Sequence, residues 1–211
     1  MNINHKINCH FNALTAFFVL GFLSVSCNEI RYKDASRPMI IAIQPLSFSD
    51  TQQLKFLKKN IETYYHFKVV LLQNKKLPEE AWYAPRSRYK ADKLIRILKD
   101  NKPDSINYII GITAKDISTK KGEYPDFGIM GLGFCPGKSC VVSIFRLKTT
   151  NKMLLNERLA KVALHEIGHN LGLPHCTTKD CFMHAAEASI KQVDSEKLDM
   201  CSACKKKIFL I

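Results

Sequence analysis

Residues 165–176 read HEIGHNLGLPHC: three histidines and a glutamate, followed at once by a cysteine. His165 and His169 are four apart, which on a helix leaves them about 40° apart around the axis and one turn apart along it, so both can hold one ion. Glu166 projects beside that pair rather than into the coordination sphere, where it can take a proton from metal-activated water. On a continued helix His175 would lie roughly 120° from His169 and well past it along the axis. The helix must therefore stop. Gly172 is free to make a left-handed C-terminal turn and Pro174 cannot extend a helix, so both are placed to stop it. His175 can then fold back as a third imidazole. Three imidazoles leave a fourth zinc position for water, the open geometry of a catalytic rather than a structural site.

An HExxHxxGxxH pattern followed by a methionine resembles the metzincin zinc proteases, with Met183 as the matching methionine. In that family the methionine lies on a tight turn beneath the metal and is not a ligand. Further on, Cys176, Cys181, Met183 and Cys201-Ser202-Ala203-Cys204 follow at spacings that resemble the archaemetzincins. The stretch GLGFCPGKSCVVSIFRL, residues 131–147, looks like that family's lead into the strand above the cleft. The resemblance implies a second, structural zinc on Cys176, Cys181, Cys201 and Cys204, hence two zinc ions in all. A closed tetrahedral site would suit a short C-terminal segment with little core of its own. Disulfides are the competing reading of these cysteines, since two pairs are possible in an oxidising compartment; the spacing favours zinc. Cys135 and Cys140 are extra to the set and suit either a small disulfide around a Pro-Gly turn or a reduced pair.

Outward from the motif, the periodicity predicts alternating strands and helices. Met39 to Leu46 and Lys68 to Leu72 are β-rich runs, and between them Leu54, Leu57, Ile61 and Tyr64 recur at helical spacing. Ala91, Leu94, Ile95 and Leu98 mark a second amphipathic helix before a buried strand, Ile106 to Ile112. His66, ending the first helical pattern, is expected to cap it. Thr113 to Lys138 is rich in glycine and turn residues; Gly128, Gly131 and Gly133 lack phosphate-loop spacing. Ser139 to Leu147 returns to strand propensity and Asn151 to Leu171 is a long helix carrying the motif at its end. This order suggests an α/β (α+β) fold: a mostly parallel sheet with flanking helices. The resemblance sharpens it to a metzincin-like mixed sheet, a zinc-binding active-site helix and a small irregular C-terminal subdomain. An extended substrate is expected to add along an edge strand near Val141 to Phe145.

The N-terminus reads as an export signal over residues 1–26: a polar start, an apolar run from Ala13 to Leu23, then Ser24-Val25-Ser26. That run is too short to span a bilayer as a helix. Cys27 then resembles the lipidated cysteine of bacterial lipoproteins, although Leu23 sits four residues before it rather than three; ordinary cleavage is the alternative. Residues 27–37 would form a tether and 38–211 the catalytic domain, exported to the bacterial cell envelope and lipid-anchored to a membrane. The formal charge of +13 is mostly lysine scattered along the chain with no aromatic interleaving, which reads as a solvated surface and argues against nucleic-acid binding.

The expectation is a monomeric zinc peptidase, aminopeptidase-like or of narrow specificity, with Glu166 as general base and a peptide or protein as substrate. The alternative from another class is a tethered zinc-binding protein without turnover, against which the presence of Glu166 argues. No tyrosine follows Met183 closely to support a transition state; His184 is a weak substitute.

Overall fold

The computed structural model describes residues 38–185 and 189–209. The signal, Cys27 and the tether lie outside the described residues. The chain runs β1 (Ile40–Pro45), α1 (Thr51–Tyr65), β2 (Lys68–Leu71), β3 (Trp82–Tyr83), β4 (Arg88–Lys90), α2 (Ala91–Asp100) and β5 (Tyr108–Thr113). It continues through β6 (Ile117–Lys121), β7 (Tyr124–Ile129), β8 (Gly131–Gly133), β9 (Ser139–Ser143), α3 (Lys152–Asn170), α4 (Ile190–Ser195) and α5 (Ser202–Phe209).

The main sheet has five strands in the order β2-β1-β5-β9-β8. The first four are parallel and β8 runs antiparallel to β9. Strand alternation divides the core into two layers. Ile41, Ile43, Ile110, Ile112 and Val142 face Leu57, Ile61, Leu159, Ala163 and Ile167 of α1 and α3. Ala42, Ile109 and Val141 face Leu94, Ile95 and Leu98 of α2. The helical faces read from the sequence are therefore those that pack, with Tyr65 rather than Tyr64 fully buried on α1. His66 takes the left-handed C-cap of α1, φ 56°, and its N–H donates to Glu62 O.

Two expectations are corrected. β9 is an interior strand, so the edge near the cleft is β8, which extends the sheet beyond it. The region from Thr113 to Lys138 is not merely loop: β6 and β7 form a hairpin that joins β3 and β4 in a second, four-stranded sheet. Charge holds that sheet in place. Asp126 lies 2.9 Å from Lys90 Nζ and 3.2 Å from an Arg88 nitrogen, and Asp116 receives two hydrogen bonds from the Arg146 guanidinium.

α3 begins at Asn151, whose Oδ1 accepts from the N–H groups of Met153 and Leu154. Its buried polar side chains hold the chain packed around it. Arg158 forks onto Asp194 and donates to Leu147 O, while Asn170 Nδ2 donates to Phe134 O and Ser139 O. The helix stops as expected: Gly172 sits at φ 90° and the Leu173 N–H closes back on Gly168 O.

Candidate active site

The last turn of α3 carries His165, Glu166 and His169, and the reversal at Gly172 returns His175 to them. The ring centroids of the three histidines are 4.6 to 5.3 Å apart. Two of the rings are aimed by backbone carbonyls: Nδ1 of His165 lies 2.6 Å from Phe182 O and Nδ1 of His169 lies 2.7 Å from Leu173 O. A ring that donates from Nδ1 keeps the Nε2 lone pair free, which is the usual outer support of a metal ligand. The Nε2 atoms of His169 and His175 approach to 3.2 Å. A tetrahedral zinc with nitrogen bonds of about 2.05 Å separates its ligand atoms by about 3.3 Å, so the donors present fit zinc. Burial pushes the His165 pKa down to about 3 and lowers that of His169, each with help from neighbouring imidazoles. Both rings are thus neutral, the form a metal requires.

Glu166 lies in tight quarters beneath β8. It is 7 % exposed, and burial raises its carboxyl pKa to about 8. The glycines of β8 make its room. A Cβ on Gly131 would lie 2.6 Å from Glu166 Oε1, and one on Gly133 would lie 2.9 Å from the Glu166 carbonyl. Alternate glycines on one strand face are the sequence signal for a helix passing close by. Met183 is fully buried and lies against α3 at Gly168, where an added Cβ would run into its sulfur. The turn holding it is closed by the His184 N–H donating to Cys181 O and the Cys176 N–H donating to Met183 O. His184 is half-buried and accepts from Gln192 Nε2.

Directly after His175 the second donor set begins. One sulfur from each of Cys176, Cys181, Cys201 and Cys204 lies within 4.8 Å of the others. Cys176 and Cys201 approach to 3.7 Å, close to the roughly 3.8 Å expected between thiolates on a tetrahedral zinc with 2.3 Å bonds and far from the 2.05 Å of a disulfide. Against the effect of burial, hydrogen bonds from the Cys204 backbone and from neighbouring thiols hold Cys201 down at about 6, while burial keeps Cys181 and Cys204 above the ordinary thiol range. Cys135 and Cys140 are separate free thiols; the Cys135 sulfhydryl donates to Leu173 O at 3.2 Å.

The histidines and Glu166 open into a cavity of about 510 Å³, roofed by Ile129, Gly131 and Leu132 and continued by Val162, Phe182 and Val193. This is ample for an extended peptide segment. A three-imidazole centre with a carboxylate at its side and one face open to such a groove is the equipment of a metallopeptidase.

The family model of peptidase family M54 matches residues 52–209. The archaemetzincin of Archaeoglobus fulgidus is 34 % identical over 170 residues, covering 81 % of this chain and 99 % of the relative. That of Halobacterium salinarum is 26 % identical over 81 % of this chain and 100 % of its own length. The crystal structure of the A. fulgidus archaemetzincin, complexed with malonate, superposes with a TM-score of 0.71 at 33 % identity over 81 % of this chain and all of that one. The archaemetzincin of Methanopyrus kandleri gives 0.73 at 25 % identity, over 84 % of this chain and 97 % of that one. The chain belongs to peptidase family M54 and is accordingly a zinc-dependent peptidase, a hydrolase of peptide bonds.

Proposed function

We propose that hydrolysis takes place at the centre formed by His165, His169 and His175, with Glu166 carrying the proton. The observation that supports this most is the convergence of imidazole nitrogens whose other nitrogens are tied to Phe182 O and Leu173 O, beside a buried carboxylate in the same cavity. Zinc, when bound there, supplies Lewis acidity and brings the pKa of water to about 7. The chain supplies the rest. The edge strand β8 offers backbone pairing to an extended peptide, which lays the scissile bond across the histidines. Glu166, whose carboxylate form the charge of a bound metal would favour against the effect of burial, accepts a proton from the attacking water and returns it to the leaving amine. Gly131 and Gly133 keep the carboxylate close under the substrate strand.

The same reading gives Cys176, Cys181, Cys201 and Cys204 a second, structural zinc, which fits the sulfur spacing and the depressed Cys201 thiol. It also has the chain exported by residues 1–26 and, through Cys27, fixed by lipid to a membrane, as a monomer acting on peptides or proteins. Among the described residues no helix is long and apolar enough to cross a membrane. Trimming of N-termini is the activity mode proposed, on the resemblance to the archaemetzincins.

The test is metal content together with turnover of a peptide library by the full chain. Two zincs per chain and hydrolysis that drops about 10²-fold or more in Glu166→Gln with both zincs kept is the expected result. Unchanged turnover in that variant would remove Glu166 from its role, and an absence of hydrolysis in the zinc-loaded wild type would remove the peptidase assignment of this centre.

A further inference from the structure

The cavity does not end at the histidines. One turn back along α3 from His165 stand Lys161 and Val162, and across from them Val193 of α4 and Glu196 at its C-cap; all four line the same cavity as Glu166. Two of the four are ionisable and almost fully buried, Lys161 at 3 % and Glu196 at 5 % exposure. Such groups are rarely buried without partners. Lys161 has them: its ammonium lies 2.7 Å from Glu157 Oε1 and donates to Val193 O at 3.1 Å. Glu196 is different. Its Oε1 is shut off from solvent and has no hydrogen-bond partner among the described residues. The groups that reach the carboxyl leave that oxygen unmatched: Gln192 hydrogen-bonds the Glu196 side chain, and His184 Nδ1, engaged by Gln192 Nε2, stands 3.9 Å from Oε1.

A carboxylate left incompletely satisfied in a substrate cavity favours a donor that arrives with the substrate. The surroundings specify which donor. Val162, Val193 and Phe182 give the cavity shared by the histidines and the carboxylate an apolar wall, suited to a methylene stem with a polar head. Lys161 is paired with Glu157 and also bears on Glu196, so two carboxyl groups share one ammonium and the balance at this end of the cavity is negative.

We propose that Glu196 is a specificity-determining residue: it receives the cationic side chain of a lysine or arginine next to the scissile bond. The proposal rests on the reading of this centre as the site of peptide hydrolysis. Glu196 does no chemistry on the bond itself; it discriminates among side chains, as buried polar groups do when a substrate lacking the matching group leaves them unpaired.

The experiment uses the zinc-loaded full chain and three short peptide hydroxamates that differ only in the side chain next to the zinc-binding group: arginine, leucine or glutamate. Binding is read by calorimetry, so the ranking does not require turnover. The arginine compound is expected to bind about 10-fold or more tightly than the leucine compound, with the glutamate compound weakest. Glu196→Gln, equal in size, is expected to abolish the arginine preference while leaving the leucine compound within about threefold; Glu196→Asp keeps the preference in weaker form. A wild type that binds leucine or glutamate as tightly as arginine, or binds none of them, overturns the proposal. So does a Gln variant that weakens all three equally, which marks a purely structural role. Failure of the peptidase reading shows separately, as an absence of cleavage in the library assay with the arginine preference for binding intact.

Discussion

Gly131 lacks a side chain because Glu166 occupies the space one would fill. Gly131→Ala is therefore expected to displace the carboxylate and lower kcat by about 10²-fold, the scale of a 1 Å misplacement, with histidine-bound zinc unchanged by metal analysis. Gly168→Ala acts on the other side of α3, pressing against Met183, and is expected to cost about 1–3 kcal/mol in denaturant unfolding as an overpacked core position. The histidines, Glu166 and the four cysteines were legible in the sequence because ligand chemistry demands particular residue types at particular spacings. Gly131 and Glu196 were not, because each owes its role to a neighbour distant in sequence: Gly131 to Glu166 on the helix beneath it, Glu196 to the cavity shared with α3. The alternation of Gly131 and Gly133 marks a close approach but not its partner, and no local pattern marks Glu196.

Among the elements, α3 and α4 are joined by the Arg158 fork on Asp194, at 2.7 Å for both contacts. The hydrogen bonds from Arg158 hold the Asp194 carboxyl below its usual range. A carboxyl whose folded pKa is depressed adds stability above its unfolded value of about 3.9 and loses it as pH falls through the folded value. Asp194→Asn is thus expected to destabilise by about 1–2 kcal/mol at neutral pH, a figure discounted because the Asp194 side chain is 34 % exposed. The gap from wild type should close below about pH 4 in urea melts; a gap that stayed constant with pH would show the bond is not ionic. The helices and the four parallel strands were readable from their periodicity, since each buries a continuous face such as Leu94, Ile95 and Leu98. The second sheet was not. β3 and β4 have two and three residues, and β7 is mostly half-exposed, so neither length nor alternation announces them. What fixes them is pairing with distant partners and the ion pairs of Asp116 and Asp126.

At the scale of the whole molecule, the C-terminal segment packs on the body through specific contacts. Tyr64 of α1 donates to Asp199 and accepts the Met200 N–H, and Phe182 sits edge-on to the Tyr64 ring. Val193, Met200, Cys204 and Ile208 join the main core, the Arg158 fork ties α4 to α3, and the cysteine cluster adds to these. Cys204→Ser is expected to lower the stoichiometry by one zinc and to reduce Tm by several degrees or more, since metal that binds the folded chain alone stabilises it by mass action. An unchanged Tm in calorimetry would show that packing alone holds the segment. A single peptide bond joins His175 to Cys176, so a donor of one cluster is anchored by a donor of the other. Thermodynamic reciprocity then applies: whatever factor the sulfur cluster adds to the affinity of the imidazole cluster is returned in full. On the two-zinc reading, oxidation of the thiols would then loosen the grip of the histidines on their own ion without any reagent entering the groove.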